Sequence, residues 1–185
     1  MSETETTAAT RRNSSLVIRG AEPADHEAIR GVVLAAYARY AGRLVPEVFS
    51  RHLDEVLDLG THASYGRLLV AATPDRVLGF AVFYPDASVP DSSFPSGWAG
   101  VRVLAAYPGA GDADVRRALL GACERLAAEA GALVLAIRTP SIMTEAIAGY
   151  ERLGYRRAPD FDGAEPVRSL AHLRYVAQMY MNLAR

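Results

Sequence analysis

Apolar residues along the chain switch between a period near two and a period near 3.6, and that switching sets the elements. Leu16 to Arg19 reads as a short strand, and Asp25 stands where a helix N-cap is expected. Behind it Ile29, Val32, Val33, Ala36, Tyr37 and Tyr40 share one helical face. Pro46 suits a first helical turn, and the helix it opens would bury Phe49, Leu53, Val56 and Leu57. Arg67 to Ala72 and Val77 to Tyr84 are strand-like runs separated by Thr73, Pro74, Asp75 and Arg76, which predicts a hairpin.

Trp98 to Leu104 predicts a further strand after a long loop from Pro85 to Gly97. The strongest helix follows: Val115, Ala118, Leu119, Ala122, Cys123, Leu126, Ala127 and Ala130 make one stripe, and Gly131 ends it. Leu133 to Ile137 reads as a buried strand. Met143, Ala146, Ile147 and Tyr150 share the face of another helix that stops at Gly154, and Tyr175 to Leu183 alternates as a closing strand. Strands interleaved with helices in this order predict an α/β mixed sheet with helices on both faces.

The chain has 185 residues, half of them apolar, which suffices for one core and not for two ordinary domains. A single domain over 16–185 is expected, behind a polar, disordered lead over 1–15. Twenty lysines and arginines balance 21 carboxylates, so no net field favours nucleic acid or an acidic membrane. Arg156 and Arg157 cluster locally and read as a solvated face. Nothing is long enough to span a bilayer, and with one cysteine a cytoplasmic protein is the expectation. Cys123 falls on a buried stripe. His26, His52, His62 and His172 lack ligand spacing and fall in or beside polar faces or loops, so no metal is expected. The pattern also admits a homodimer.

Three stretches resemble the GNAT superfamily of N-acetyltransferases: GWAGVRVLAAYP, ALLGACERLAAEAG and GYERLGYRRAP. The resemblance runs from Leu16 to the end and implies the GNAT-like acyl-CoA N-acyltransferase fold. It implies acetyl-CoA as co-substrate, with its arm beside Val103, Leu104 and Ala105. It also implies that Tyr150 protonates the departing thiolate, and that a small molecule or peptide supplies the amine that accepts the acetyl group. Met143 stands where the family often has an asparagine holding the pantetheine arm.

Such enzymes hold a pyrophosphate on the N-terminus of the central helix, where amide N–H groups and the helix dipole favour an anion and glycines allow close approach. Laid on this chain without gaps, the usual Arg/Gln-Gly-x-Gly-x-Gly/Ala pattern falls on Gly111, Asp112, Ala113, Asp114, Val115 and Arg116, which lack the expected residue types. A gapped alternative uses Gly109 and Gly111. The gapless one is preferred because it also places Pro108, Val115 and the Ala118 to Leu120 run. Asp112 and Asp114 would repel a diphosphate, with Arg116 and Arg117 offsetting part of that; equally, Asp114 could cap its own helix.

No acid lies on the central strands, so candidate bases are Asp160, Asp162 and Glu165 in the loop before the last strand. The acceptor pocket is expected among Tyr37, Tyr40, Phe49 and residues near Asp160 to His172. Two functions follow. One is an acetyl-CoA-dependent N-acetyltransferase. The other is a degenerate domain of the same fold, in which the acids have ended productive acyl-CoA binding and the cleft serves as a binding or assembly module, or for other chemistry.

Overall fold

Both bulges of the central sheet fall where side chains must change sides, and they organise everything around them. The computed structural model describes residues 15–89, 94–109, 111–164 and 167–176. Its strands are β1 (Val17–Gly20), β2 (Arg67–Ala72), β3 (Val77–Tyr84), β4 (Ala99–Ala106), β5 (Val134–Pro140), β6 (Arg156–Arg157) and β7 (Ser169–Tyr175). They form a seven-stranded sheet in the order β1-β2-β3-β4-β5-β7-β6. Neighbours are antiparallel except β4 and β5, which run parallel because α4 (Asp112–Glu129) crosses between them.

Leu78 is the extra residue of one bulge, since Ala71 faces Gly79 while Ala72 faces Val77. Arg102 is the extra residue of the other, since Val82 faces Val103 and Phe83 faces Val101. An inserted residue reverses the pleat. Ala81, Phe83 and Val101 therefore pack with α4, while Val77, Val103 and Ala105 pack on the opposite face with α1 (His26–Tyr37) and α2 (Pro46–Leu57).

The α4 stripe read from the sequence is the buried one: Val115, Leu119, Leu120, Cys123 and Ala127 lie against the sheet. Burying a leucine such as Leu119 contributes roughly 1.5–3 kcal/mol. Gly79 lets the first turn of α4 approach β3, because a Cβ there would meet Val115 Cγ1 at 2.5 Å. Gly131, at φ +73°, and Gly154, at φ +89°, take left-handed conformations just beyond α4 and α5 (Thr144–Arg152). The thiol of Cys123 is buried and pushed up to about 12 by desolvation. Helices thus cover both faces of a mixed sheet, as expected.

Several details differ from the sequence reading. α3 (Leu59–Tyr65) was not expected; it carries no apolar stripe and is capped by Asp58, which accepts from the Thr61 amide at 3.0 Å. Asp25 does not cap α1 through its side chain. It accepts from the Glu22 amide at 2.8 Å and from Arg19 at 2.6 Å, stabilising the short 3-10 turn before the helix. Tyr40 lies in a separate 3-10 turn after α1. β7 (Ser169–Tyr175) was not expected as a strand; it pairs with β5 from Ser169 opposite Pro140 to Tyr175 opposite Val134, and it ends at the first residue of the expected Tyr175 to Leu183 strand. The rest of the expected strand and the polar lead up to residue 14 fall outside the described residues. Arg157 is not simply solvated, since it forms a two-point pair with Asp162 at 2.7 Å. Among the described residues no helix is long and apolar enough to cross a membrane.

Candidate functional site

β4 and β5 are in register over Ala99, Gly100 and Val101 opposite Leu135, Ala136 and Ile137, and then part. The bulge at Arg102 bends β4 away, and Pro140 closes β5 with a residue that has no N–H to donate. Among the described residues, the edge of β4 beyond Val101 that faces β5 therefore has no strand across from it. A cleft at the carboxyl ends of parallel strands is where open α/β sheets bind ligands.

The cleft holds a cavity of about 360 Å³ lined by β4, β5, α2, α5 and the loop before β7. A second space of about 50 Å³ lies between the end of α1, the end of β4, the start of α4 and α5. Both are lined by Tyr37, Leu104, Met143 and Ala146, so the two spaces adjoin. Among the residues singled out for the cofactor arm, Val103 and Leu104 line the large cavity, and Leu104, Ala105, Asp112 and Arg116 line the narrow space. Val115 instead points into the core, and its amide donates to Gly111 at 3.0 Å.

At the head of α4 the N-cap is Gly111, in a left-handed conformation at φ +95° that favours glycine, so no capping side chain is available. Asp112, Ala113 and Asp114 form the first turn. Asp114 is not a cap: it pairs with Arg117 at 2.5 Å on an open surface. Asp112 pairs with Arg116 at 3.0 Å, and this second pair is more enclosed, the carboxylate side chain being 22% exposed against 72% for Asp114. Each acid thus has its own guanidinium, and the helix head carries neighbouring charges of both signs. Across the narrow space Arg39 and Glu145 pair at 2.5 Å, and Arg43 donates to the carbonyl of Ile142 at 3.2 Å, bracing the chain after α1 against the start of α5.

Tyr150 is buried on α5 and lines the large cavity. Desolvation pushes its phenol up to about 12, with the Thr139 side chain and the Arg116 guanidinium partly opposing. Tyr37, buried at the end of α1, is raised as well, first by burial and then by the nearby Tyr150. The sequence placed Tyr37, Tyr40 and Phe49 in one acceptor pocket. The structure divides them: Tyr37 lines both spaces, Tyr40 the narrow one, and Phe49 packs against the core of the α1 face. Met143 is buried at the start of α5 and lines both spaces with its thioether chain.

Asp160 and Asp162 do not line the cavity. Asp162 is held by Arg157 and by the Ala171 amide at 2.9 Å, interactions that lower its pKa, and Asp160 is exposed on the surface. Glu165 lies outside the described residues. The histidines are what the sequence reading missed. His172 is fully buried on β7, 3.6 Å from Glu151. His52 of α2 and His62 of α3 line the large cavity, and burial lowers both pKa values. His62 Nδ1 lies 2.8 Å from the Tyr84 hydroxyl, whereas His52 packs beside Tyr37 with ring centres 5.8 Å apart; the Nε2 atoms of both rings are buried and have no hydrogen-bond partner among the described residues. A usable signal existed: Phe49, His52, Leu53 and Val56 fall at offsets 0, 3, 4 and 7, so spacing alone places His52 on the inward face.

No family model and no curated protein matches the sequence. Solved structures do match. The chain is similar to the PaiA N-acetyltransferase of Thermoplasma acidophilum in complex with coenzyme A, at TM-score 0.69 and 15% identity over 87% of this chain and 99% of that one. It is similar to an acetyltransferase of the GNAT family from Staphylococcus aureus Mu50, at TM-score 0.64 and 12% identity over 88% and 99%. It is also similar to the histone acetyltransferase HPA2 and related acetyltransferase from Corynebacterium glutamicum, at TM-score 0.60 and 22% identity over 87% and 96%. Near-complete coverage on both sides, together with the parted parallel strands and the helix head beside them, shows that this chain has the fold of the GNAT superfamily of N-acetyltransferases.

Proposed function

We propose that the protein is an acyl-CoA-dependent N-acetyltransferase that moves an acetyl group onto the amine of a small molecule or peptide. The observation that carries this reading is the narrow space at the head of α4, which shares Tyr37, Leu104, Met143 and Ala146 with the cavity lined by Tyr150. A pantetheine arm would thread past Leu104 and Ala105, along the strand edge that β5 leaves bare, and bring its end to the large cavity. Arg116 and Arg117, with the first-turn amides of α4, are the groups that would hold the diphosphate, once Asp112 and Asp114 give up their guanidiniums in part.

Acetyl-CoA supplies a thioester carbonyl open to attack by an amine. The bare edge of β4 offers backbone N–H groups to polarise that carbonyl, and the cavity walls hold amine and carbonyl together. Tyr150 keeps its proton throughout the physiological range because desolvation holds its pKa near 12. Donation from so weak an acid to a thiolate is uphill alone. It becomes favourable when coupled to the proton that the attacking nitrogen sheds, which returns to the phenol.

Calorimetric titration with acetyl-CoA, followed by thiol release with a panel of primary amines, tests the proposal. Binding with amine-dependent release supports it, and no heat at millimolar ligand overturns it. The second reading, a domain that no longer binds acyl-CoA productively, is favoured by one observation: the space at the head of α4 is only about 50 Å³ and is braced by the Arg39–Glu145 pair. The same titration decides between them.

A further inference from the structure

We propose that His52 is the general base that removes the proton from the acceptor ammonium. The inference rests on the acyl-transfer reading and adds the residue which that reading lacks. Position is the first argument. His52 lines the large cavity from α2, across from the β4 and β5 edges, and its neighbour Tyr37 lies close enough to Tyr150 for the two phenols to influence each other. The base would thus stand on the acceptor side and the proton donor on the thiol side of one space.

Hydrogen bonding is the second argument. His52 Nε2 is buried and has no hydrogen-bond partner among the described residues, a state that a bound ligand or a turn of the ring would relieve. His62 also has a buried Nε2 without a partner among the described residues, but its Nδ1 is engaged with the Tyr84 hydroxyl at 2.8 Å, which fixes that ring. Asp160 lies on the surface, and Asp162 is neutralised by Arg157.

The charged and titratable groups around His52 support a neutral ring. Tyr37 faces it from α1, Arg51 and Glu55 flank it on α2, His62 lines the same cavity from α3, and Arg102 and Arg138 line it from β4 and β5. Burial lowers its pKa below the ordinary 6.5, with Glu55 the opposing influence. At neutral pH the ring therefore has a free lone pair.

The protons balance as follows. The acceptor ammonium gives one proton to His52, which passes it to solvent. The free amine forms the N–C bond as the C–S bond breaks, and the second nitrogen proton reaches sulfur by way of Tyr150. The net products are the N-acetyl amine, the free thiol and one proton.

The test uses the full chain, acetyl-CoA and the best primary amine from the panel. With His52 as base, kcat/KM levels off just above the histidine pKa, well below the amine's own pKa. The H52Q variant should lose about 100-fold or more in kcat at neutral pH. Its kcat/KM should then keep rising with pH toward the amine pKa, while acetyl-CoA affinity by calorimetry stays within about twofold. Histidine-ring NMR of the wild type should show His52 titrating below 6.5 and shifting on addition of the amine. An unchanged pH profile in H52Q overturns the assignment, as does a ring that ignores the amine, or acetyl-CoA binding without turnover of any amine. Absence of acetyl-CoA binding by the wild type instead sinks the acyl-transfer reading itself. H52N provides a second variant should H52Q not fold.

Discussion

Replacing Asp112 by asparagine should tighten coenzyme A binding, and the same change at Asp114 should barely matter. The two acids are two residues apart on one helical turn, so sequence alone treats them alike. The structure separates them: Asp112 lines the narrow space and is 22% exposed, whereas Asp114 is 72% exposed. A like-charge contact about 4 Å from a phosphate costs roughly 1 kcal/mol in water and about 4 kcal/mol at the effective dielectric near a protein surface. Arg116, 3.0 Å away, already offsets part of this, so a net gain of about 1.4 kcal/mol, or tenfold in Kd, is expected for D112N. For D114N, solvation and salt screening keep the change under about threefold.

Folding should move the other way. An acid in the first turn of a helix stabilises it by roughly 0.3–1 kcal/mol through the dipole, so D112N should lower Tm by about 2 °C while raising affinity. Calorimetry with coenzyme A at low and high salt, paired with thermal melts, reads both effects, and the affinity gain should shrink as salt rises. Weaker or unchanged binding in D112N, or a larger gain in D114N, would refute the placement of the phosphates at the head of α4.

Tyr150→Phe should lower kcat by about 100-fold with little change in KM, measured by thiol release, and should leave the basic side of the pH profile unmoved, because the phenol titrates near 12. Arg39→Ala removes an exposed clasp, so stability should change by less than about 1 kcal/mol, while stopped-flow fluorescence should show faster acetyl-CoA association. Asp25 is held at about 2, first by its hydrogen bond from Arg19. A depressed carboxyl stabilises the fold above its unfolded pKa near 4, and that stability fades as pH falls from about 4 through 2. Its partner Arg19 is 39% exposed at the side chain, so D25N should cost only about 1 kcal/mol at pH 7 by urea titration, and the gap to wild type should close by about pH 2.

The parts of the fold written as local periodicity were legible. The α4 stripe, the β2–β3 hairpin and the stops at Gly131 and Gly154 each follow from neighbours within a few residues. The parts written by distant contacts were not. β7 carries Arg174 and a fully buried His172, so its pattern looks less strand-like than the alternating Tyr175 to Leu183 run, and only pairing with β5 reveals it. α3 has no apolar face to detect. For the site, the acids at the head of α4 were visible as letters, but their guanidinium partners and unequal exposure were not. His52 was on the inward stripe of α2 all along. What period could not say is that this stripe overlooks an open cavity at that point rather than packed side chains.

The extra residue at Arg102 makes the length of β4 a constraint separate from its composition. Val103 to Ala106 can be exchanged for other aliphatic residues at the cost of packing, but removing a single residue from the strand would straighten it and turn its second half over. Val103 and Ala105 would then leave α1 for the α4 side, and the strands would zip where they now part. Homologous chains should accordingly tolerate substitutions through this stretch while rejecting insertions and deletions, and a designed one-residue deletion should close the binding space without unfolding the sheet.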